Sequence, residues 1–293
     1  MKNVSALILG LAMAFSAQAG NKVIYGEDNR LDLFETGDAL HAELAQSTAA
    51  MIAHSRITLL GDKATITGSP LSSRGICASE PFANQITAAN CSGFLVGKDL
   101  LVTAGHCVKN SFDCSGSAWV FGFGVNSPDQ QGHEIPATEV YRCAEVIETV
   151  LDRATSDDYA LIRLDRAVTG RSPLKVRTDG KITEGTEIVV IGHPTGLPTK
   201  VAAGANVRDN SDSYFFVANL DTYGGNSGSA VFDAKTGTVE GILVRGENDY
   251  VYDSSQGCQV SNHCTNEGCR GEDVTRITNV KKLQEILAAE ANQ

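Results

Sequence analysis

Positive charge is in short supply in this sequence. Lys and Arg number 24 against 35 Asp and Glu, a formal charge of −11, so a phosphate backbone or an anionic membrane surface would be repelled rather than drawn in from a distance. Nucleic acid is therefore not an expected partner. Long apolar runs are missing too: after Ala6 to Phe15, no stretch approaches the ~20 residues that cross a bilayer as a helix. No membrane anchor is expected. The sequence also lacks internal repeats, low-complexity tracts, the C-x-x-C pairs that announce a zinc site and the D-x-D-x-D-G string of a calcium loop. Neither a metal nor a cofactor is implied.

What is present is an ordinary globular composition. The 293 residues are 42% hydrophobic and 20% charged, which excludes disorder, collagen and coiled coil and leaves room for one large domain or two halves of roughly 100 to 150 residues. Residues 1–19 begin with Lys2, continue through the apolar run and end in Ala17-Gln18-Ala19, the pattern of a secretory signal peptide. Secreted or periplasmic residence follows. Eight cysteines (77, 91, 107, 114, 143, 258, 264, 269) all lie beyond it, and an even count in an exported chain argues for up to four disulfides. His263 among Cys258, Cys264 and Cys269 comes nearest to a zinc set, but its spacing matches no familiar zinc pattern.

Short runs rich in Val, Ile, Phe and Thr recur between Gly, Asn, Asp and Pro, the signature of antiparallel sheet with tight turns. The clearest are Gly93 to Gly97, Leu100 to Thr103, Ala118 to Phe123, Ala160 to Leu164, Glu187 to Gly192, Ser213 to Ala218, Ser229 to Phe232 and Val239 to Val244. The class is all-β. Two segments read instead as helices: Asp38 to about His54, with Leu40, Leu44 and Met51 on one face, and Asn279 to about Ala289, with Val280, Leu283 and Leu287 at helical spacing. A polar stretch, 169–184, divides the strand-rich chain into two portions and reads as a linker. The polar, cysteine-bearing segment from Asn248 to Gly271 reads as a stapled surface loop or as a wall of a substrate pocket.

Three strings carry chemistry. Ser227 sits in Gly224-Gly225-Asn226-Ser227-Gly228-Ser229, where flanking glycines let the chain bend so that a hydroxyl and successive N–H groups converge on one small volume. His106 follows a strand in Leu101-Val102-Thr103-Ala104-Gly105-His106-Cys107; an imidazole, titrating about 6.5 when unperturbed, can both take and return a proton near neutrality. Asp158 opens Asp158-Tyr159-Ala160-Leu161-Ile162-Arg163-Leu164, and a carboxylate buried beside an imidazole fixes its tautomer. Taken singly, these strings also read as a hairpin turn, a surface histidine and an acidic turn. His193, in a Gly-His-Pro turn, reads as structural.

In the order His, Asp, Ser, the strings resemble the motifs of the chymotrypsin-like serine peptidases, and within them the bacterial glutamyl endopeptidase branch. Cys91-Ser92-Gly93-Phe94-Leu95-Val96-Gly97-Lys98-Asp99 precedes the histidine as the corresponding strands do, and Val23-Ile24-Tyr25-Gly26-Glu27-Asp28-Asn29-Arg30 resembles that branch's mature start. The resemblance implies two antiparallel six-stranded β-barrels: residues 23–168 with His106 and Asp158, and residues 185–278 with Ser227, followed by a C-terminal helix over 279–293. It also implies a serine endopeptidase acting through an acyl-enzyme on protein or peptide substrates, with the N–H groups of Gly225 and Ser227 as oxyanion hole. A disulfide between Cys91 and Cys107 belongs to the resemblance, and Cys114 with Cys143 is a second candidate; Cys77, Cys258, Cys264 and Cys269 allow three pairings.

The sequence also departs from the family. Asn226 stands where the digestive enzymes carry the aspartate that binds a newly freed amino terminus, so that switch cannot operate in the same way. Lys22-Val23 is a basic-apolar junction whose cleavage would make residues 20–22 a short propeptide. For the pocket that receives the residue before the scissile bond, the string Gly241 to Gly246 places Leu243 where the branch has a histidine, while Thr222 keeps its threonine. Asp221 matches the pocket-floor acid of trypsin. As a pocket acid it would favour Lys or Arg and repel Glu; as a loop cap it would have no such effect. Substrate contacts are thus expected from Asp221, Thr222, Leu243 and Gly246. Cleavage after Glu and a catalytically silent binding protein on the same barrels remain the alternatives.

Overall fold

The computed structural model describes residues 23–130 and 132–291; the expected signal peptide and propeptide lie outside them. Six strands close the first barrel: β1 (Thr48–Ala53), β2 (Ala89–Leu95), β3 (Leu100–Thr103), β4 (Ser117–Phe121), β5 (Val140–Leu151) and β6 (Asp158–Leu164), in the ring order β4-β5-β6-β3-β2-β1. The second is built from β7 (Glu187–Gly192), β8 (Lys200–Asp209), β9 (Phe215–Ala218), β10 (Ala230–Asp233), β11 (Val239–Arg245) and β12 (Glu272–Arg276). Its order is β10-β11-β12-β9-β8-β7, closed by the pairing of β7 with β10. The two rings therefore share one antiparallel topology, although the sequence carries no repeat.

Two-sided burial explains why these segments settle as strands. Along β7, Ile188 and Val190 point into the second barrel's core while Val189 and Ile191 join the cluster that runs between the barrels. The same alternation sets Ala49 and Met51 of β1 on one side and Ala50 and Ile52 on the other. This corrects the expected helix from Asp38 to His54. The helix α1 occupies only Ala39–Ala45, capped by Asp38, and Thr48–Ala53 is barrel strand. Leu40, Leu44 and Met51 share helical spacing, but a short apolar run fits a strand buried on both faces equally well, and β1 is needed to bridge β2 and β4.

Four disulfides are formed: Cys91–Cys107, Cys114–Cys143, Cys77–Cys258 and Cys264–Cys269. Helix α2 (Lys281–Ala291) follows β12, and its Leu283, with Val280 just before it, packs onto the inter-barrel core. Just ahead of it, Asn279 donates to Asp157 Oδ1 at 2.8 Å, tying the chain's end back to the first barrel. Among the described residues no helix is long and apolar enough to cross a membrane.

The segment after Val23 runs along the second barrel. Ile24–Tyr25 pairs with His263–Cys264, and Arg30–Leu31 pairs with β8. Asp221 holds it: Oδ1 accepts from Tyr25 N at 2.7 Å and Oδ2 from Asn29 N at 2.9 Å. Burial outweighs those two bonds and pushes the carboxyl up to about 6. A raised folded-state pKa gives stability that is fully present below the ordinary carboxylate range, about 4, and is lost as pH rises through about 6. Asp221→Asn removes that titration. The difference in unfolding free energy between variant and wild type, from urea melts at pH 4 and pH 7, is expected to shift in the variant's favour by ~1–3 kcal/mol at the higher pH; a difference independent of pH would mean that Asp221 keeps an ordinary acidity.

Candidate active site

His106 is placed by the small residues ahead of it. A side chain at Gly105 would start 2.0 Å from Val150 O and 2.8 Å from Tyr159 O, so only glycine lets the turn after β3 press against β5 and β6. The imidazole then meets Asp158, the first residue of β6. Nδ1 lies 2.7 Å from Asp158 Oδ2, and the backbone N–H of His106 donates to Oδ1 at 3.0 Å. Asp158 is 2% exposed. With both oxygens engaged by one residue, the carboxylate fixes the ring and leaves Nε2 facing outward.

Ser227 comes from the other barrel, on the loop between β9 and β10. Gly225 and Gly228 have φ of +94° and +88°, and a side chain at Gly228 would start 2.1 Å from Ser92 O and 2.3 Å from Thr103 Oγ1. The loop is thus pressed directly onto β2 and β3. Ser92 fastens it: its N–H donates to Ser227 O at 2.8 Å, and its hydroxyl donates to Gly225 O at 2.9 Å while accepting from His193 N at 3.0 Å. The Cys91–Cys107 bridge sits in the same place, its sulfurs and a ring nitrogen of His106 all within 4.8 Å of one another. Bonded sulfurs offer no thiolate to a metal. Among the described residues, the N–H groups of Gly225 and Ser227, the Ser227 hydroxyl and His106 Nε2 have no hydrogen-bond partner within the protein. Four groups of complementary chemistry are thus left for a ligand or for one another. His193 is fully buried, pushed down to about 4 by that burial, and neutral at ordinary pH; its part is structural.

The expected pocket residues separate. Asp221 is turned to the backbone of Tyr25 and Asn29 and is 4% exposed, the loop-capping arrangement. Leu243 packs among Val190, Phe216 and Val274 in the second barrel's core. Thr222 and Gly246 do come together, across a residue that the sequence reading passed over. Glu272, at the start of β12, accepts from Thr222 Oγ1 at 2.9 Å and from Glu247 N at 3.2 Å, and a side chain at Gly246 would start 1.7 Å from its Oε2. Arg245 was also missed. It places Nη1 3.9 Å from Asp158 Oδ2, held there by Asp273 and the carbonyl of Ser156. Only its position next to Gly246 could have singled it out.

The cysteine-bearing segment is more than a surface staple. Asp249 accepts from Gly224 N at 2.9 Å, Ser261 Oγ lies 2.5 Å from Tyr223 OH, and Tyr250 OH lies 2.9 Å from Thr195 Oγ1. It buttresses the loop that carries Ser227. A cavity of about 760 Å³ lies elsewhere, on the first barrel between His54, Cys114 and Arg166.

A solved structure described as a Glu endopeptidase in complex with MPD superposes over 92% of this chain and all of its own, with a TM-score of 0.53 and 16% identity; this likeness is one of fold. Among curated proteins, a glutamyl endopeptidase of Bacillus licheniformis is 29% identical over 153 residues, 49% of this chain and 45% of that protein. An anti-sigma-I factor, RsgI9, of Acetivibrio thermocellus is 28% identical over 167 residues, 56% of this chain and 20% of that protein. The chain thus spans less than half the length of either relative. The family model for the trypsin-like peptidase domain matches residues 91–242, just over half of the sequence, and takes in His106, Asp158 and Ser227 together: the chain belongs to the trypsin-like peptidase family.

Proposed function

We propose that the protein is an exported serine endopeptidase. The observation that carries this reading is the buried Asp158 carboxylate gripping His106 through both its backbone and its ring, against the turn that bears Ser227. Ser227 Oγ attacks the scissile carbonyl carbon while His106 Nε2 takes its proton and passes it to the departing amine; water, activated the same way, then releases the acyl group. Asp158 stabilises the imidazolium in between. The free N–H groups of Gly225 and Ser227 receive the oxyanion, each worth on the order of 10² to 10³ in turnover. Export is supported by the signal-like residues 1–19 and by four disulfides.

For the residue before the scissile bond, charge favours Lys or Arg. The acid that supports this is Glu272 rather than Asp221, because its carboxylate lies between Thr222 and Gly246; it is fully buried, so it would act from beneath those residues, favouring a cation and opposing a second anion. Cleavage after Glu is the second reading, favoured by the similarity to a relative named a glutamyl endopeptidase. Maturation at Lys22-Val23 fits the burial of Val23, whose carbonyl accepts from Thr222 N at 3.3 Å beside this pocket.

A fluorophosphonate is expected to add once, at Ser227, and to abolish hydrolysis; a folded protein that takes no label would instead be a binding protein on this fold. Asp158→Asn should lower kcat by about 10⁴ without preventing folding. Quenched peptides differing only in Lys, Arg or Glu before the bond should be cleaved fastest with Lys or Arg, and Glu272→Gln should reduce that preference about tenfold or more. Faster cleavage after Glu, unchanged in Glu272→Gln, would establish the second reading. Terminal sequencing of fully active enzyme should begin at Val23, and a start at Gly20 would refute that maturation site.

A further inference from the structure

A second cavity, of about 470 Å³, shares Gly224 and Gly225 with the loop that bears Ser227 but does not include Thr222, Gly246 or Glu272. Its other walls include Arg56, Arg74, Asn90 and Thr195. In a protein of net charge −11, no Asp or Glu is among the described residues that line it; the Asp249 carboxylate stands behind the wall and accepts from Gly224 N at 2.9 Å, and among the described residues neither arginine forms an ion pair. Each guanidinium spends an N–H on a fixed backbone carbonyl: Arg56 Nη1 donates to Thr87 O at 2.7 Å and Arg74 Nη1 to Thr195 O at 2.9 Å. A guanidinium has five N–H groups, so both are anchored and both retain donors. Arg56 is half-buried and Arg74 exposed, which makes one charge fixed and the other reachable from solvent.

The wall between the arginines and Gly225 is rigid and strained. Thr195 sits at φ +54° and Gly196 at +82°, where a side chain would start 2.4 Å from Ala89 O. Left-handed backbone at a threonine costs of order 1–3 kcal/mol and persists only where its surroundings hold it. Here they do: Thr195 N donates to Gly224 O, its hydroxyl pairs with Tyr250, and its carbonyl accepts from Arg74. One arginine is thus coupled through a stiff turn to the residue preceding Gly225.

We propose that this cavity binds an acidic side chain of the substrate, one or two residues after the scissile bond. The proposal rests on the peptidase reading. A peptide whose carbonyl oxygen points at the amides of Gly225 and Ser227, and whose preceding side chain lies toward Thr222 and Gly246, would run on over the flank formed by Gly224, Gly225 and Asn90, all of which line the cavity. The arginines stand on that flank. A carboxylate arriving there meets two cations with spare planar donors, the geometry that favours charge-assisted hydrogen bonds.

The test compares peptides that carry the best residue before the bond and Ala, Asp, Glu or Lys at the first and second positions after it. Two readouts are used: kcat/KM with wild type, and binding of the same peptides to Ser227→Ala by fluorescence anisotropy. An acidic residue at one of these positions is expected to improve both by about 5- to 20-fold over Ala, with Lys below Ala. Arg56→Gln/Arg74→Gln keeps an amide donor for each anchoring carbonyl while removing both charges, and should bring the acid-to-Ala ratio to about one. Circular dichroism and labelling of Ser227 check that this variant is folded. Should it fail to fold, the single variant Arg74→Glu serves instead, and should move the preference from acid to Lys. An acid-to-Ala ratio near one in wild type, or a ratio that survives loss of the arginines, overturns the proposal. If wild type hydrolyses no peptide, the peptidase reading fails, and the Ser227→Ala measurement still decides whether the cavity selects carboxylates.

Discussion

The candidate chemistry depends on one backbone junction, the docking of Ser227 onto Ser92. Two of the three candidate side chains, His106 and Asp158, belong to one barrel and the third, Ser227, to the other, so their alignment is set by how the barrels meet. Ser92 uses its amide and its hydroxyl on the carbonyls of Ser227 and Gly225, and the absence of a side chain at Gly228 lets the two chains approach. Each such hydrogen bond adds only about 1 kcal/mol net. Their importance is geometric: they fix the nucleophile loop against the strand whose next neighbour in the ring delivers His106.

Around that junction, charge is managed by burial and pairing. Asp158 is desolvated but satisfied by His106, with Arg245 behind it; Arg245 is in turn held by Asp273, which also takes Arg270 at 2.6 Å. The chain of ion pairs thus runs from the end of β11 through β12 to the edge of the cysteine-bearing segment. Removing one member would leave a buried partner uncompensated, which is far costlier than the pair itself is stabilising. Asn279, by holding Asp157, ties the terminal helix to the residue next to Asp158. The overall excess of acid is therefore no guide to the local field, which individual carboxylates and arginines set by their pairing.

Much of this was legible in the sequence because His106, Asp158 and Ser227 lie in short strings, two of which need small neighbours, as at Gly105 and Gly228. All eight strands marked by Val, Ile and Phe runs were found, within a few residues at their ends. Those overlooked were of another kind. Val140–Leu151 mixes Glu and Arg into a half-exposed strand, Lys200–Asp209 carries Gly204 and several alanines, and Glu272–Arg276 is buried throughout yet reads Glu-Asp-Val-Thr-Arg. Burial of that last strand relies on partners far away in sequence: Thr222 for Glu272, Arg245 and Arg270 for Asp273, and the carbonyls of Asp212 and Phe215 for Arg276. No local pattern can announce such compensation, and so Glu272 drew no attention while Asp221, in a conspicuous position, did. Thr48–Ala53 failed for the opposite reason: its small apolar residues suit either periodicity, and the closure of the ring decides.

The bond between Cys77 and Cys258 joins positions 181 residues apart. It encloses ten of the twelve barrel strands, all but β1 and β12, and with them His106, Asp158 and Ser227, in a single covalent loop. On the peptidase reading, the exposed turns of one copy are targets for another. Any one nick between these two cysteines would open the loop without releasing a fragment, so the severed halves would stay tethered and could re-form the same interface without a search through solution.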